Sequence, residues 1–197
     1  MARERKHAHF TPYSSLPPNT LFALKESVSM AYKSGCHPRR IPAELFAGAL
    51  ISHDHQLRET LRPFHLSADL FYHLAPQLPP REVDFPSQWV EKTLVEVGKP
   101  NRAIPSAIFE IMLKNYNSGI GAIVQFRSSI GYIDPQMLPY SEADVLSAVS
   151  KLKEKQLQAT DDQIESSSKL SLQLPIGLTR IFGIFRKPQP AEPVRAA

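Results

Sequence analysis

Histidine is the residue type in this chain that most readily suggests chemistry, because imidazole nitrogens are common metal ligands. Two His-x-His pairs occur, His7 with His9 and His53 with His55. Residues at positions i and i+2 do not share one face of a helix, and neither pair has a nearby cysteine or third histidine to complete a tetrahedral set. We therefore interpret these histidines as solvent-exposed loop residues and expect no metal site and no cofactor.

Cys36 is the only cysteine, and it follows Gly35 next to the basic residues His37, Arg39 and Arg40. Basic neighbours can depress the pKa of a thiol, but an adjacent residue does not aim its imidazole at the sulfur. The sequence also has no nucleophile elbow, no paired carboxylates and no Gly-x-x-x-x-Gly-Lys-(Ser/Thr) phosphate loop. We expect Cys36 to be an ordinary loop residue and the protein to be a non-enzyme without catalytic residues.

The composition favours a soluble cytoplasmic protein. The chain has 197 residues, of which 42% are hydrophobic, a formal charge of +4 and a pI near 9.2. Its lysines and arginines are scattered, so no nucleic-acid partner is implied. A single cysteine suits a reducing compartment, the charged N-terminus does not have the apolar core of a signal peptide, and no apolar run is long enough to span a membrane.

One short pattern occurs twice. Residues 41–50 (IPAELFAGAL) and 104–113 (IPSAIFEIML) share the frame Ile-Pro-x-x-(Leu/Ile)-Phe-x-x-x-Leu, at an offset of 63 residues from Ile41 to Ile104. A fixed offset of this length indicates one helical unit used twice. Because two copies are too few for a solenoid, we expect a compact pair of halves that cover each other's apolar faces.

Apolar spacing and capping residues predict four helices in the first half, and the second half repeats this plan loosely. The predicted starts in the first half are Asn19, Pro42, Gln56 and Ser67, and Gly35 ends the first helix. The second half offers Ser87, Ile104, Ile120, an Asp134-Pro135 cap and a last helix opened by Ser141 with Asp144; Gly98 ends its first helix. After Gln158 the apolar periodicity dissolves, and we interpret the following residues as a linker.

These observations predict an all-α fold of two pseudo-symmetric four-helix repeats packed as one domain. The repeats span residues 16–80 and 85–158, an N-terminal arm covers 1–15, and a linker with an irregular or amphipathic apolar and basic tail covers 159–197.

The residues that carry this pattern resemble the double Clp N-terminal motif, the domain that precedes the ATPase rings of Clp chaperones. The matching positions are 31–35, 41–50, Leu57, Leu61 and 66–74 in the first copy, and 86–88, Gly98 and 104–113 in the second. The resemblance covers about residues 16–157. It implies an all-helical recognition module that binds adaptors, substrates or partner peptides and catalyses nothing, here without the ATPase modules.

Glu44 occupies the position of the glutamate in the family motif, which in some members helps to recognise phosphorylated arginine. A carboxylate is a natural partner for a guanidinium group. The second copy has Ala107 at this position, and Pro17 replaces a threonine that such members carry. The alternative is an exposed first-turn acid, which the helix dipole favours.

The entry segments of both repeats form a partner-binding face in several family members. Tyr13, Leu16 and Phe85 lie at about those positions, and Trp89 lies one turn further on. Aromatic anchors suit a docking surface. The alternative is that Phe85 and Trp89 pack in the interface between the repeats.

The segment 170–187 is strongly apolar with basic residues at intervals, and Pro175, Gly177 and Gly183 interrupt it. Three interpretations stay open. The segment folds back on the helical core, or it lies on an anionic membrane surface as a weak contact. In the third, Ile176, Gly177 and Leu178 resemble the tripeptide by which Clp ATPases dock their peptidase.

We therefore expect a non-catalytic protein-binding module that serves as an accessory or adaptor component of a Clp-type chaperone, protease or related secretion machine. Its partner would be a protein or a substrate peptide, including a Clp ATPase or peptidase. The alternative is a peripheral membrane scaffold that the segment 170–187 targets to the membrane surface.

Overall fold

The structure, a computed structural model, describes residues 15–36, 41–77, 86–115, 119–131 and 140–172. At 128–131 and 163–172 it describes the backbone alone. The predicted all-α class is confirmed for these residues, since they form helices and turns and contain no strand. All of the predicted N-terminal arm except Ser15, and most of the predicted tail, lie outside them.

Four α-helices precede residue 78 and four follow residue 85 within the described ranges. They are α1 (Pro18–Lys33), α2 (Ala43–His53), α3 (His55–Leu61), α4 (Ala68–Leu74), α5 (Pro86–Val97), α6 (Pro105–Lys114), α7 (Ile120–Gly131) and α8 (Glu142–Leu172). Short 3-10 turns follow α3 and α4, at Arg62–Phe64 and Ala75–Gln77, and another precedes α6 at Pro100–Arg102.

Side-chain caps start three of these helices. Ser67 Oγ accepts a hydrogen bond from the Leu70 N–H at 3.3 Å, and Asp54 Oδ1 accepts one from the Leu57 N–H at 3.0 Å. At α8 the caps are reciprocal, since the Asp144 N–H donates to Ser141 Oγ and Asp144 Oδ2 accepts from the Ser141 N–H. These bonds satisfy amide groups that have no partner inside the helix.

The first helix starts earlier than its sequence predicts. Pro17 occupies the N-cap position of α1 without a side-chain cap, and Asn19 lies inside the first turn. Because a proline fixes φ near the helical value and needs no N–H partner, Pro18 opens the helix in place of a capping residue.

The glycines at the ends of α1 and α5 adopt the left-handed conformation that the sequence predicts for helix stops. Gly35 has φ of 70° and Gly98 has φ of 75°, a region that disfavours residues with a Cβ. At the end of α1 the Cys36 N–H donates to the Ala31 carbonyl at 2.9 Å, which closes the helix. Cys36 thus has a structural place in the cap, and it packs against the small cluster of Ala31, Ile41, Leu45 and Ala75.

Helix α2 is the central element of the fold. It contacts α1, α3, α4, α6 and α7, and its residues 43–51 are all buried. A helix that is apolar on nearly every face can only be stable inside a protein. One cluster of buried apolar side chains includes residues from all eight helices, so both halves of the chain share one core.

Gly48 lets α4 approach this central helix closely. A Cβ built at Gly48 would lie 2.6 Å from Cε1 of Tyr72 and 3.2 Å from the Ala68 carbonyl oxygen. The Tyr72 hydroxyl oxygen is shielded from solvent. Its burial raises the pKa of the phenol, and the neighbouring Glu26 carboxylate raises it further. Because the tyrosine ring is rigid and packs against the small cluster of Ala31, Ile41, Leu45 and Ala75, an added methyl group would force the ring or the helix to shift.

We expect Gly48→Ala to lower the free energy of unfolding by about 1–3 kcal/mol, because overpacking outweighs the better helix propensity of alanine. Urea unfolding followed by circular dichroism measures this change. Gly121→Ala is the matched control, since the nearest atoms there belong to the end of the Glu142 side chain, which can swing away. If Gly48→Ala were as stable as Gly121→Ala, the close approach of Tyr72 would be wrong.

A polar interface holds α8 against α6. The Glu110 side chain is 3% exposed, and its Oε2 lies 2.5 Å from Nζ of Lys153. Its Oε1 accepts a hydrogen bond from Ser150 Oγ at 2.7 Å and lies 2.9 Å from Nζ of Lys114. Lys153 also lies 3.7 Å from a carboxylate oxygen of Glu96, so the charged groups form a network.

The predicted linker after Gln158 is helical in its first part, because α8 continues to Leu172. The chain divides into two compact units at this point, residues 1–158 and 159–197. The 31 residues of α8 include no proline and no glycine, and an established helix extends at little cost. Loss of apolar periodicity after Gln158 therefore does not mark the end of the helix.

Candidate functional site

An open groove lies where the first half of the chain meets α7. Its volume is about 620 Å³. Side chains from α2, α3, the following 3-10 turn, the start of α4 and α7 line it: Ser52, Arg58, Glu59, Arg62, His65, Leu66, Ser67, Ala68, Asp69 and Arg127. Grooves of this size accommodate small ligands or a few residues of a peptide.

One wall of the groove is the end of α3 and the turn that follows it. Arg58 and Arg62 are four residues apart, a spacing that puts both guanidinium groups on one side of the helix. Arg62 Nη1 lies 3.4 Å from Oε2 of Glu59, and both side chains are exposed. A pair of this kind contributes little to stability and leaves Arg62 able to bind other groups.

His65 makes the corner between this wall and α4. Its backbone φ of 53° lies in the left-handed region, which is unusual for a residue with a Cβ and costs about 1–2 kcal/mol. The His65 N–H donates to the Arg62 carbonyl at 2.9 Å, and Leu66 is 2% exposed directly after it. Burial of Leu66 and the cap at Ser67 hold this turn in place.

Two helices outside the groove, α6 and α8, hold the start of α3, the helix whose end forms this wall. Asp54 caps α3 with one carboxylate oxygen, and its other oxygen, Oδ2, accepts a hydrogen bond from Gln156 Nε2 at 3.2 Å. Gln156 lies on α8 and also accepts a hydrogen bond from Ser106 Oγ on α6. The start of α3 is thereby tied to both helices.

Arg127 is the residue that α7 contributes to the groove lining. Its Nε is buried and has no hydrogen-bond acceptor among the described residues. Tyr140 lies nearby, and burial raises the pKa of its phenol to about 12 although the charge of Arg127 acts in the opposite direction. The Tyr140 ring meets Phe64, in the turn after α3, edge to face with centroids 5.2 Å apart.

The groove chemistry suits binding of a polar ligand. Three arginines and two carboxylates, Glu59 and Asp69, line the groove, and two serines and His65 add hydrogen-bonding groups. Within the described residues, no group of three or more His, Cys, Asp or Glu side chains is arranged to hold a metal ion. His53 pairs with Glu26 at 2.6 Å and Asp54 caps α3, so these members of the His53-to-His55 segment have structural roles.

The predicted partner-binding residues that the structure describes are buried. Leu16 is 6% exposed, Trp89 is 1% exposed, and both belong to the main apolar core. Lys92 Nζ lies 4.2 Å above the centroid of the Trp89 ring. Of the two alternatives for Trp89, packing in the core is the one observed, and an exposed docking role for Leu16 and Trp89 is not supported.

Glu44 is 5% exposed, so the alternative of an exposed first-turn acid is wrong. Helix α2 is surrounded by other helices, and its first turn is buried with the rest. The other predicted contact residues, Tyr13 and Phe85, lie outside the described residues. So does the docking tripeptide Ile176, Gly177 and Leu178, together with most of the segment proposed to touch membranes.

Sequence reasoning missed the groove. The spacing of Arg58 and Arg62 on a predicted helix was a usable signal, but nothing in the sequence brings Arg127 to them. No described helix has the length and apolar character needed to cross a membrane. Comparison with family models, with curated proteins and with solved structures found no match to this chain.

Proposed function

We propose that this chain is a non-catalytic protein-binding module that acts as an accessory or adaptor component of a Clp-type chaperone or protease machine. The observation that carries the proposal is the groove, because its lining combines α2, α3 and α4 from the first half with Arg127 of α7 from the second. A binding site that both halves line would explain why the two halves pack together, since neither half forms the site alone.

Matching features support a pseudo-symmetric arrangement of two repeats. Gly35 and Gly98 are 63 residues apart and both have left-handed φ values. Phe46 and Phe109 have the same offset, lie on α2 and α6, and are both fully buried. Helices α2 and α6 contact each other at the centre of the core. This is the arrangement that the resemblance to the Clp N-terminal motif implies.

A peptide or a protein surface is the ligand class that fits an open groove with charged walls. The carboxylates of Glu59 and Asp69 can accept hydrogen bonds from backbone N–H groups, and the arginines can donate to carbonyl or side-chain oxygens. A bound segment would add protein–protein contacts without any chemical step. The machine itself would then act on whatever this module delivers.

Site-specific photocrosslinking in a lysate of the source cells tests this function. A benzophenone amino acid at Asp69, an exposed groove residue, is expected to crosslink a chaperone, protease or secretion component that mass spectrometry identifies. The same amino acid at Val95, which is 88% exposed and outside the groove, is the control. Recovery of no such component at Asp69, or equal recovery at Val95, would contradict the proposal.

A further inference from the structure

We propose that the groove binds an anionic peptide segment, one whose side chains carry carboxylate or phosphate groups. This inference rests on the proposed protein-binding function and names the chemistry of its ligand. Three features of the groove support it. Two of its arginines have no carboxylate at ion-pair distance among the described residues, the Nε–H of Arg127 is buried without an acceptor there, and the carboxylates of Glu59 and Asp69 line the same space.

The cationic groups of the groove are incompletely neutralised. Arg62 has Glu59 as an ion-pair partner at 3.4 Å. In the described part of the chain, neither Arg58 nor Arg127 lies within ion-pair distance of a carboxylate. Because a guanidinium group binds oxyanions through two parallel N–H donors, two such groups facing one groove form a receptor for negative charge.

Arg127 has a further reason to bind an acceptor. Its Nε–H is shielded from solvent and has no hydrogen-bond partner among the described residues. A buried donor without an acceptor is costly, by about 1–3 kcal/mol. An oxyanion in the groove would let a small rotation of the guanidinium turn this donor toward it, so part of that cost would be recovered on binding.

The groove's own carboxylates distinguish a peptide from other polyanions. Glu59 and Asp69 line the same space as the arginines. They would repel the evenly spaced phosphates of a nucleic-acid backbone, whereas in a peptide with acidic side chains at intervals they can accept the backbone N–H donors between those side chains. A volume of about 620 Å³ also exceeds what one inorganic anion fills and suits several residues.

Fluorescence anisotropy with three labelled peptides tests the inference on the full chain. One peptide is rich in Glu and Asp, the second replaces these residues with Gln and Asn, and the third carries phosphoserines at the same positions. We expect the acidic or the phosphorylated peptide to bind at least about tenfold more tightly than the neutral one, and added salt to weaken this binding. The two anionic peptides distinguish a carboxylate ligand from a phosphate ligand.

Three variants locate the binding. Arg58→Gln changes an exposed residue and leaves the core intact, and we expect it to weaken acidic-peptide binding by about five- to tenfold. Arg127→Gln is expected to weaken it at least as much. Lys151→Gln removes an equal charge from an exposed position of α8 outside the groove, and should leave the affinity unchanged.

The outcomes separate this inference from the proposed function. Equal affinity for the neutral and anionic peptides, or equal losses in Arg58→Gln and Lys151→Gln, would overturn the anionic ligand. Tighter binding of a single-stranded oligonucleotide than of either anionic peptide would overturn it too. In each case crosslinking of a chaperone or protease component at Asp69 would still support the protein-binding role, whereas its failure there would remove both.

Discussion

Replacement of Lys153 by methionine is expected to lower the free energy of unfolding by about 3 kcal/mol near neutral pH. The Glu110 carboxylate is 3% exposed and depends on Lys153, Lys114 and Ser150 for its stabilisation. Methionine keeps much of the apolar bulk of lysine but removes the ammonium group. Glu110 would therefore keep a buried charge with one partner fewer, which costs more than the loss of an exposed pair.

The loss should depend on pH in a definite direction. Burial opposes ionisation of Glu110, but the hydrogen bonds from Lys153, Lys114 and Ser150 outweigh it and hold the pKa of the carboxyl below its usual 4.5. A depressed pKa in the folded state means that the stabilisation is present above the unfolded pKa and is lost as the pH falls through the folded pKa. The difference between Lys153→Met and the natural chain should shrink below about pH 4.5.

Urea unfolding at pH 7, 5, 4 and 3.5 measures this dependence. Lys151→Met is the matched control, since Lys151 lies on the same helix with an exposed side chain, and its effect should stay within about 0.5 kcal/mol. A destabilisation that is the same at pH 7 and pH 3.5, or that equals the control, would contradict the role assigned to the buried pair.

Local chemistry explains why so many helix ends could be predicted. The caps at Ser67 and at Ser141 with Asp144, and the glycine stops at Gly35 and Gly98, depend on a few neighbouring residues. Such signals are present in the sequence whatever the rest of the chain does. Burial of α2 and α6 could be predicted for a similar reason, because helices with so many apolar residues are stable only when they are covered by the rest of the protein.

Contacts between helices explain what could not be predicted. On α1 the apolar residues Val28 and Tyr32 are exposed, whereas Ala23, Ser27 and Ala31 are buried. Small side chains at this spacing let α1 lie close to α2, so they form its contact face in place of larger residues. A pattern of apolar residues on one helix does not contain this information, since the partner helix decides which face is covered.

The groove is unpredictable for the same reason. Arg58 and Arg127 are far apart in the sequence, and they meet across one space because α3 and α7 pack around the same core. The buried pair of Glu110 and Lys153 likewise joins α6 to α8, two helices whose apolar core positions could be predicted although the contact between these two charges could not. Charged residues that converge in this way can be identified only when the tertiary contacts are known.

Phe46→Ala and Phe109→Ala are each expected to lower the free energy of unfolding by about 3–5 kcal/mol, because a large cavity would open in the shared core. Both side chains are fully buried, on helices α2 and α6 respectively. Phe109 also meets Phe71 edge to face, with centroids 6.1 Å apart. A double-mutant cycle on Phe71 and Phe109 should give a coupling free energy of about 0.5–1.5 kcal/mol between the two rings.

The shape of the unfolding transition tests whether the two halves form one cooperative unit. Because α2 contacts α6 and one apolar cluster includes residues of all eight helices, each variant should still unfold in a single transition. Tyr32→Ala, at a position 68% exposed, is the aromatic control and should change the free energy of unfolding by less than about 1 kcal/mol.

If an alanine variant does not fold, Phe46→Leu and Phe109→Leu are milder substitutions, each expected to lower the free energy of unfolding by about 1 kcal/mol. Two separate transitions in either phenylalanine variant would mean that each half has its own core, and a groove built from both halves could not then be held in one geometry.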